Sequence, residues 1–186
     1  LEQSKDYRFL SSEYHRLIDM TGDYGIDNQK AILHHNLGYL NLRHGYFKQA
    51  AEYYKKSMDA RNSSNPKYVG SLEGYINALT KEGKTPKEKL LKLVEEGLVL
   101  CRNFSAPTFH HLFTMHYHSI LGEDDQYYHY LENQAFPHFD KMGYVMTKEF
   151  YAVKLFDYYM SKNDMANANR FAGEIVEKFR TNNQFV

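Results

Sequence analysis

Residues 31–58 read AILHHNLGYLNLRHGYFKQAAEYYKKSM, and this stretch decides the fold. Apolar side chains recur in it every three or four residues, which predicts two amphipathic helices. Gly45 and Tyr46 separate the two helices by a tight turn, so we expect them to run antiparallel. Gly38 and Ala50 are small residues on the two helices, and we expect them to let the helices approach closely. The stretch therefore predicts one helical hairpin.

A second copy of a short motif shows that the hairpin is repeated. Residues 38–41 read GYLN and residues 74–77 read GYIN, so the offset is one hairpin length (74 − 38 = 36). One hairpin cannot cover its own apolar faces and must stack on neighbours. The repeat therefore favours an open stack of antiparallel hairpins over a closed bundle.

Helical periodicity extends over almost the whole chain and predicts an all-α protein of about nine helices. These helices are predicted over 3–20, 27–44, 47–61, 66–82, 86–102, 106–121, 124–140, 145–161 and 164–180. We expect one repeat domain over 1–186, with a half repeat at 3–20 and full repeats at about 27–61, 66–102, 106–140 and 145–180. Because the first unit is half a hairpin, we expect the chain to be a C-terminal fragment of a longer one.

Composition excludes several functional classes. Lys and Arg number 23 and so do Asp and Glu, which is unlike a basic nucleic-acid binder. No apolar run approaches the roughly 20 residues of a membrane span. The single cysteine, Cys101, cannot form an internal disulfide and suits the reducing cytoplasm. We therefore expect a cytoplasmic protein without membrane or nucleic-acid contacts through this fragment.

The stretch 31–58 resembles a tetratricopeptide repeat. That resemblance implies a right-handed superhelical array, here of about four and a half hairpins. The matching residues are Asn36, Leu37 and Gly38, then Gly45 at the turn, and Phe47, Ala50, Tyr54 and Met58 on the second helix.

The irregular units, rich in tyrosine and histidine, also resemble the Rap, NprR and PlcR group of peptide-sensing regulators of Gram-positive bacteria. In that group the repeats wrap a short signalling peptide on their concave face. An N-terminal module supplies the output, a helix-turn-helix in NprR and PlcR or a three-helix bundle that engages a response regulator in Rap proteins. The resemblance implies a peptide ligand or a protein segment as partner, and it leaves homodimerisation open.

In tetratricopeptide arrays the first helix of each hairpin lines the groove. Side chains three or four residues apart share a helix face, and the position of Tyr39 is filled in later units by Tyr75, Tyr117 and Asp157. Tyrosine rings and hydroxyls suit an extended peptide. Arg43 could form a two-pronged hydrogen bond with a peptide carboxylate. The predicted groove residues are Ile32, His35, Asn36, Tyr39, Arg43, Tyr68, Tyr75, Tyr117 and Asp157.

The asparagines of the motif point elsewhere. Asn41 and Asn77 lie about 200° around the helix from the tyrosines. We favour a structural interpretation, in which each asparagine satisfies a backbone group at the contact with the next hairpin. Clamping of a peptide backbone by these amides is the alternative.

No catalytic, cofactor or metal motif is present. The ten histidines include no H-E-x-x-H and no pair at i, i+4, and neighbours such as His34 and His35 diverge by about 100° on a helix. We predict a non-enzymatic, cofactor-free and metal-free protein, in which histidines replace polar aromatic residues in hairpin packing. The leading hypothesis is the peptide-binding sensor domain of a bacterial quorum-sensing transcriptional regulator. The alternatives are a general protein–protein scaffold and a Rap-like regulator that binds a response regulator.

Overall fold

The computed structural model describes residues 2–23 and 27–182, and within these ranges every regular element is helical. The chain divides into two compact units, Leu1–Leu121 and Gly122–Val186. The first contains six helices: α1 (Glu2–Asp23), α2 (Asp27–Arg43), α3 (Phe47–Asp59), α4 (Tyr68–Glu82), α5 (Lys87–Asn103) and α6 (Pro107–Leu121).

The second unit contains α7 (Asp124–Tyr130), a π-helical segment (Leu131–Ala135), α8 (Phe136–Lys141), α9 (Val145–Ser161) and α10 (Met165–Asn182). The first three of these follow one another without a gap and correspond to the single predicted helix 124–140. Pro137 lies at the start of α8, where its missing N–H disturbs the regular hydrogen-bond ladder. The predicted all-α class of about nine helices joined in hairpins is confirmed.

Turn residues explain where the helices stop. Gly45 and Gly83 have φ angles of +78° and +72°, in the left-handed region that favours glycine. Gly83 ends α4 and donates its N–H to the carbonyl of Leu79 at 3.1 Å. Helix α5 begins one residue later than the predicted helix 86–102, because Pro86 is the residue before its first turn.

The two repeated glycines contact the same aromatic ring. A Cβ built on Gly38 of α2 would lie 2.9 Å from the base of the Tyr54 ring, and one built on Gly74 of α4 would lie 2.3 Å from its Cζ. Tyr54 belongs to α3, between these helices in the chain, and is 2% exposed. The small size of Gly38 therefore makes room for the Tyr54 ring where α3 packs against α2.

The core of the first unit runs from hairpin to hairpin. Met58 of α3, Leu72 of α4, Val94 of α5 and Phe113 of α6 belong to one buried cluster. Such a cluster shares its apolar faces between neighbouring hairpins, as stacking requires. In the second unit the buried side chains include Leu131, Phe139, Leu155 and Phe171.

Candidate functional site

The first helices of successive hairpins, α2, α4 and α6, are held side by side by polar contacts. His35 Nδ1 of α2 lies 3.0 Å from Ser71 Oγ of α4, at the equivalent repeat position. Glu73 of α4 accepts from His116 Nε2 of α6 at 2.9 Å. These contacts fix the three helices that carry most of the predicted groove residues.

Tyr39 and Arg43 form an accessible pair at the C-terminal half of α2. The Tyr39 side chain is 51% exposed. The Arg43 guanidinium lies 5.9 Å from the centre of the Tyr39 ring, and Nη1 donates to the tyrosine hydroxyl at 3.4 Å. In the described part of the chain no carboxylate lies within ion-pair distance of Arg43. The pair can therefore offer an aromatic face and an uncompensated positive charge to a ligand.

The other predicted tyrosines of the first unit are less accessible. Tyr75 and Tyr117 are half-buried and pack against the core cluster. The hydroxyl of Tyr68 donates to Glu96 of α5 at 3.1 Å, and burial followed by the charge of Glu96 raises the pKa of Tyr68 to about 12. The hydroxyl of Tyr68 is thus already engaged by its own chain.

The remaining predicted residues are spread over both units. Ile32 is 36% exposed, and Asn36 is half-buried on α2. Asp157 is exposed on α9 of the second unit, where it lines a surface cavity with Tyr128 and Tyr158. The rings of Tyr128 and Tyr158 stack with their centres 4.0 Å apart. The structure thus brings together the residues of α2, α4 and α6, and it places Asp157 among tyrosines of its own unit.

Asn41 has a structural role. Its side chain is 2% exposed, Nδ2 donates to the carbonyl of Leu37 at 2.8 Å, and Oδ1 accepts from the hydroxyl of Tyr7 at 3.0 Å. The predicted bond to a backbone group is present. The side-chain partner of Asn41 differs from the expectation, because Tyr7 lies on the preceding helix α1 and not on the next hairpin. Asn77 is half-buried.

A cavity of about 510 Å³ lies at the other end of α2 and was not anticipated from the sequence. Its lining combines residues of α2, the α3–α4 connection, α4, and the region where α5 leads into α6. The lining residues are Ile32, His35, Arg61, Pro66, Lys67, Gly70, Phe104, Ala106 and Phe109. Only Ile32 and His35 of this set were predicted.

Arg61 is the polar centre of this cavity. It is 9% exposed, and Nη1 donates to Ser57 Oγ and Ser71 Oγ, each at 3.1 Å. Burial lowers the pKa of Arg61. Burial and the charge of Arg61 also lower the pKa of His35, which favours the neutral imidazole at neutral pH. The i, i+4 spacing of Ser57 and Arg61 was the one sequence signal for this cluster.

The histidines pack as aromatic side chains. His34 stacks on Tyr53 and His35 meets the edge of Tyr54, with ring centres 6.0 and 5.4 Å apart. Among residues 2–23 and 27–182, no three His, Cys, Asp or Glu side chains are grouped as a metal site would need. Cys101 is 3% exposed, and burial raises the pKa of its thiol to about 11. No helix in the described ranges is both long and apolar enough to cross a bilayer.

Comparison with known proteins gives structural relatives only. No protein-family model matches the sequence, and no curated protein matches it. The apo form of RapI shares the fold over 99% of this chain, with a TM-score of 0.76 at 14% identity. The apo form of the quorum sensor NprR from B. thuringiensis matches 79% of this chain, with a TM-score of 0.65 at 21% identity. This chain spans 50% of the RapI chain and 42% of the NprR chain. The resemblance to Rap and NprR proteins is thus confirmed at the level of the fold.

Proposed function

We propose that this chain is the peptide-binding sensor domain of a bacterial quorum-sensing transcriptional regulator. The ligand is a short signalling peptide that lies along α2, α4 and α6. The observation that carries the proposal is the exposed Tyr39–Arg43 pair, whose guanidinium has no carboxylate partner in the described residues. The shared fold with the quorum sensor NprR supports it.

In this proposal the peptide acts by shifting a conformational equilibrium. Arg43 binds a carboxylate of the peptide, and the Tyr39 ring packs against a neighbouring peptide side chain. A ligand shifts a conformational equilibrium only as far as it prefers one state. The contact between His35 of α2 and Ser71 of α4 is where the two states would differ, so the peptide would favour one arrangement of these helices. The transcriptional output would lie in the rest of a longer protein.

The experiment is calorimetry of the chain with a library of short peptides. The expected result is at least one peptide with a dissociation constant of about 1 μM or lower, weakened about tenfold by Arg43→Ala. Lys48→Ala is the matched control, because Lys48 is an exposed cation on α3, outside the three helices. A complete screen without a binder would refute the proposal, and so would a peptide whose dissociation constant is unchanged by Arg43→Ala.

A second candidate function is a protein–protein scaffold, which one feature of the second unit favours. Met146, Phe150 and Val153 form one face of α9 and are 73, 57 and 43% exposed. Exposed apolar rows of this kind often mark protein contacts. A scaffold predicts capture of a whole protein that Phe150→Ser abolishes and Arg43→Ala leaves intact. A Rap-like regulator predicts that the captured protein is a response regulator.

A further inference from the structure

The cavity around Arg61 contains a buried positive charge without a counter-ion. Arg61 Nη1 donates three hydrogen bonds, and all three acceptors are neutral oxygens. They are the hydroxyls of Ser57 and Ser71, described above, and the carbonyl of Lys67 at 3.4 Å. Nε is buried and has no partner, and no described residue accepts from Nη2. No carboxylate in the described ranges pairs with this guanidinium. A buried charge in such surroundings is costly until an anion neutralises it.

The remaining walls of the cavity select the shape of that anion. Ile32, Phe104 and Phe109 are apolar, and the exposed Lys67 is a second cation of the lining. No acidic side chain among the described residues lines the cavity. Gly70 leaves room for the Phe109 ring, because a Cβ there would lie 3.1 Å from the ring tip. About 510 Å³ is within the usual range of small-ligand sites. The lining therefore suits a ligand with one negative charge beside one bulky apolar group.

The fixed neighbours of Arg61 favour a carboxylate. Ser57 Oγ donates to the carbonyl of Ala31 at 2.7 Å, and Ser71 Oγ lies 3.0 Å from His35. These contacts leave the unused donors of the Arg61 guanidinium as the buried polar feature of the cavity, whereas Lys67 is exposed. The planar geometry of a guanidinium matches a carboxylate.

We propose that this cavity binds the C-terminal residue of a peptide, with its carboxylate on the free donors of Arg61 and its apolar side chain between Ile32, Phe104 and Phe109. The cavity alone argues for an apolar carboxylate. The assignment of that carboxylate to a peptide rests on the proposed function. Arg43 would then contact an acidic group elsewhere in the same ligand.

The decisive test compares N-acetyl-phenylalanine with its primary amide on the unaltered chain, followed by ¹⁵N NMR. The acid should produce saturable shifts in the amide signals of Gly70 and Phe109, and the uncharged amide should bind at least about tenfold more weakly. Equal binding of the two compounds, or no binding of the acid, overturns the proposal. No variant is needed for this comparison.

Two further arms identify the source of the carboxylate and the residue that binds it. 3-Phenylpropanoate lacks the peptide group, so it should bind several-fold more weakly, and equal binding would overturn the C-terminal assignment. Arg61→Met should abolish the shifts and Arg61→Lys should weaken them, whereas the exposed Arg102→Met serves as control. Unchanged binding by folded Arg61→Met also overturns the proposal.

The outcomes separate this inference from the proposed function. A peptide whose binding depends on Arg43 but tolerates amidation of its C-terminus would sustain the function and overturn the inference. Binding of N-acetyl-phenylalanine that depends on Arg61, with no peptide binder in the library, would sustain the apolar carboxylate site and refute both the function and the assignment of the carboxylate to a peptide.

Discussion

Replacing Gly74 by alanine tests the central packing feature of the fold, the ring of Tyr54 seated on two glycines. In an open helix this change stabilises a protein by about 1 kcal/mol, because alanine is the better helix former. Here the new Cβ would lie 2.3 Å from Cζ and 2.4 Å from Cε1 of Tyr54. Carbon atoms in favourable contact lie about 3.5–4.0 Å apart, and a ring that is 2% exposed has little room to withdraw.

The magnitude follows from these two opposing effects. Overpacking a core costs about 1–3 kcal/mol, and an overlap of this size belongs at the upper end of that range. After the gain in helix propensity of about 1 kcal/mol, we expect Gly74→Ala to lower the free energy of unfolding by about 2 kcal/mol. Gly38→Ala should cost less, because its Cβ would lie 2.9 Å from the ring.

Native-state hydrogen exchange is the suitable assay, since it reports the free energy of opening for each unit separately. Gly173→Ala on α10 is the matched control, because a Cβ there meets nothing within 4 Å, and we expect it to stabilise its unit. Tyr54→Leu should relieve the clash, so the double variant should be less destabilised than the sum of the single changes. The reasoning is refuted if Gly74→Ala behaves like Gly173→Ala, or if its effect is independent of Tyr54.

Three further predictions concern buried or bridging polar groups. Burial, followed by the charge of Lys56, lowers the pKa of His34 to about 4 from the ordinary value of about 6.5. The unfolded chain therefore protonates His34 at a higher pH than the folded chain does, so the free energy of unfolding falls as the pH drops from about 6.5 toward 4. Thermal denaturation over this pH range should show a smaller loss of stability for His34→Phe than for the unaltered chain. Asn41→Ala should lower the free energy of unfolding, measured in urea, by about 1–2 kcal/mol, because it removes the hydrogen bonds to the Tyr7 hydroxyl and to the Leu37 carbonyl. Lys148 bridges two carboxylates, so Lys148→Met should lower stability by about 1 kcal/mol and reduce its salt dependence.

The helix bounds could be predicted because helix ends depend on local chemistry. Gly45 and Gly83 stop their helices through their own left-handed backbone, and Pro107 opens α6. These effects are properties of a few consecutive residues. The π-helical segment ahead of Pro137 was not predicted, because a proline inside a periodic stretch can be accommodated in several ways.

The candidate site was less predictable because equivalent repeat positions have different neighbours. Tyr39 and Tyr75 occupy the same place in the motif, yet Tyr39 is 51% exposed. Tyr75 instead packs against the core cluster that contains Leu72 and against a second buried cluster that contains Tyr54. Residues from α3, α4, α5 and α6 build these clusters, and their approach follows from tertiary packing. Periodicity places a side chain on a helix face, but the adjacent hairpin decides how much of that face remains free.

Arg61 was not predicted for a related reason, and the position of its cavity bears on the length of the proposed ligand. Arginine is rarely buried without a partner, so a lone arginine after α3 reads as a surface residue. The cavity around it uses Ile32 of α2, whereas the exposed Arg43 is further along the same helix (43 − 32 = 11 residues). At about 1.5 Å per residue, Ile32 and Arg43 are about 16 Å apart along the helix axis. An extended peptide advances about 3.3 Å per residue, so the proposed ligand needs about five residues to reach from the Ile32 wall of the cavity to Arg43. A proposed peptide that follows α2 but is much shorter than this could contact the cavity or Arg43, but not both.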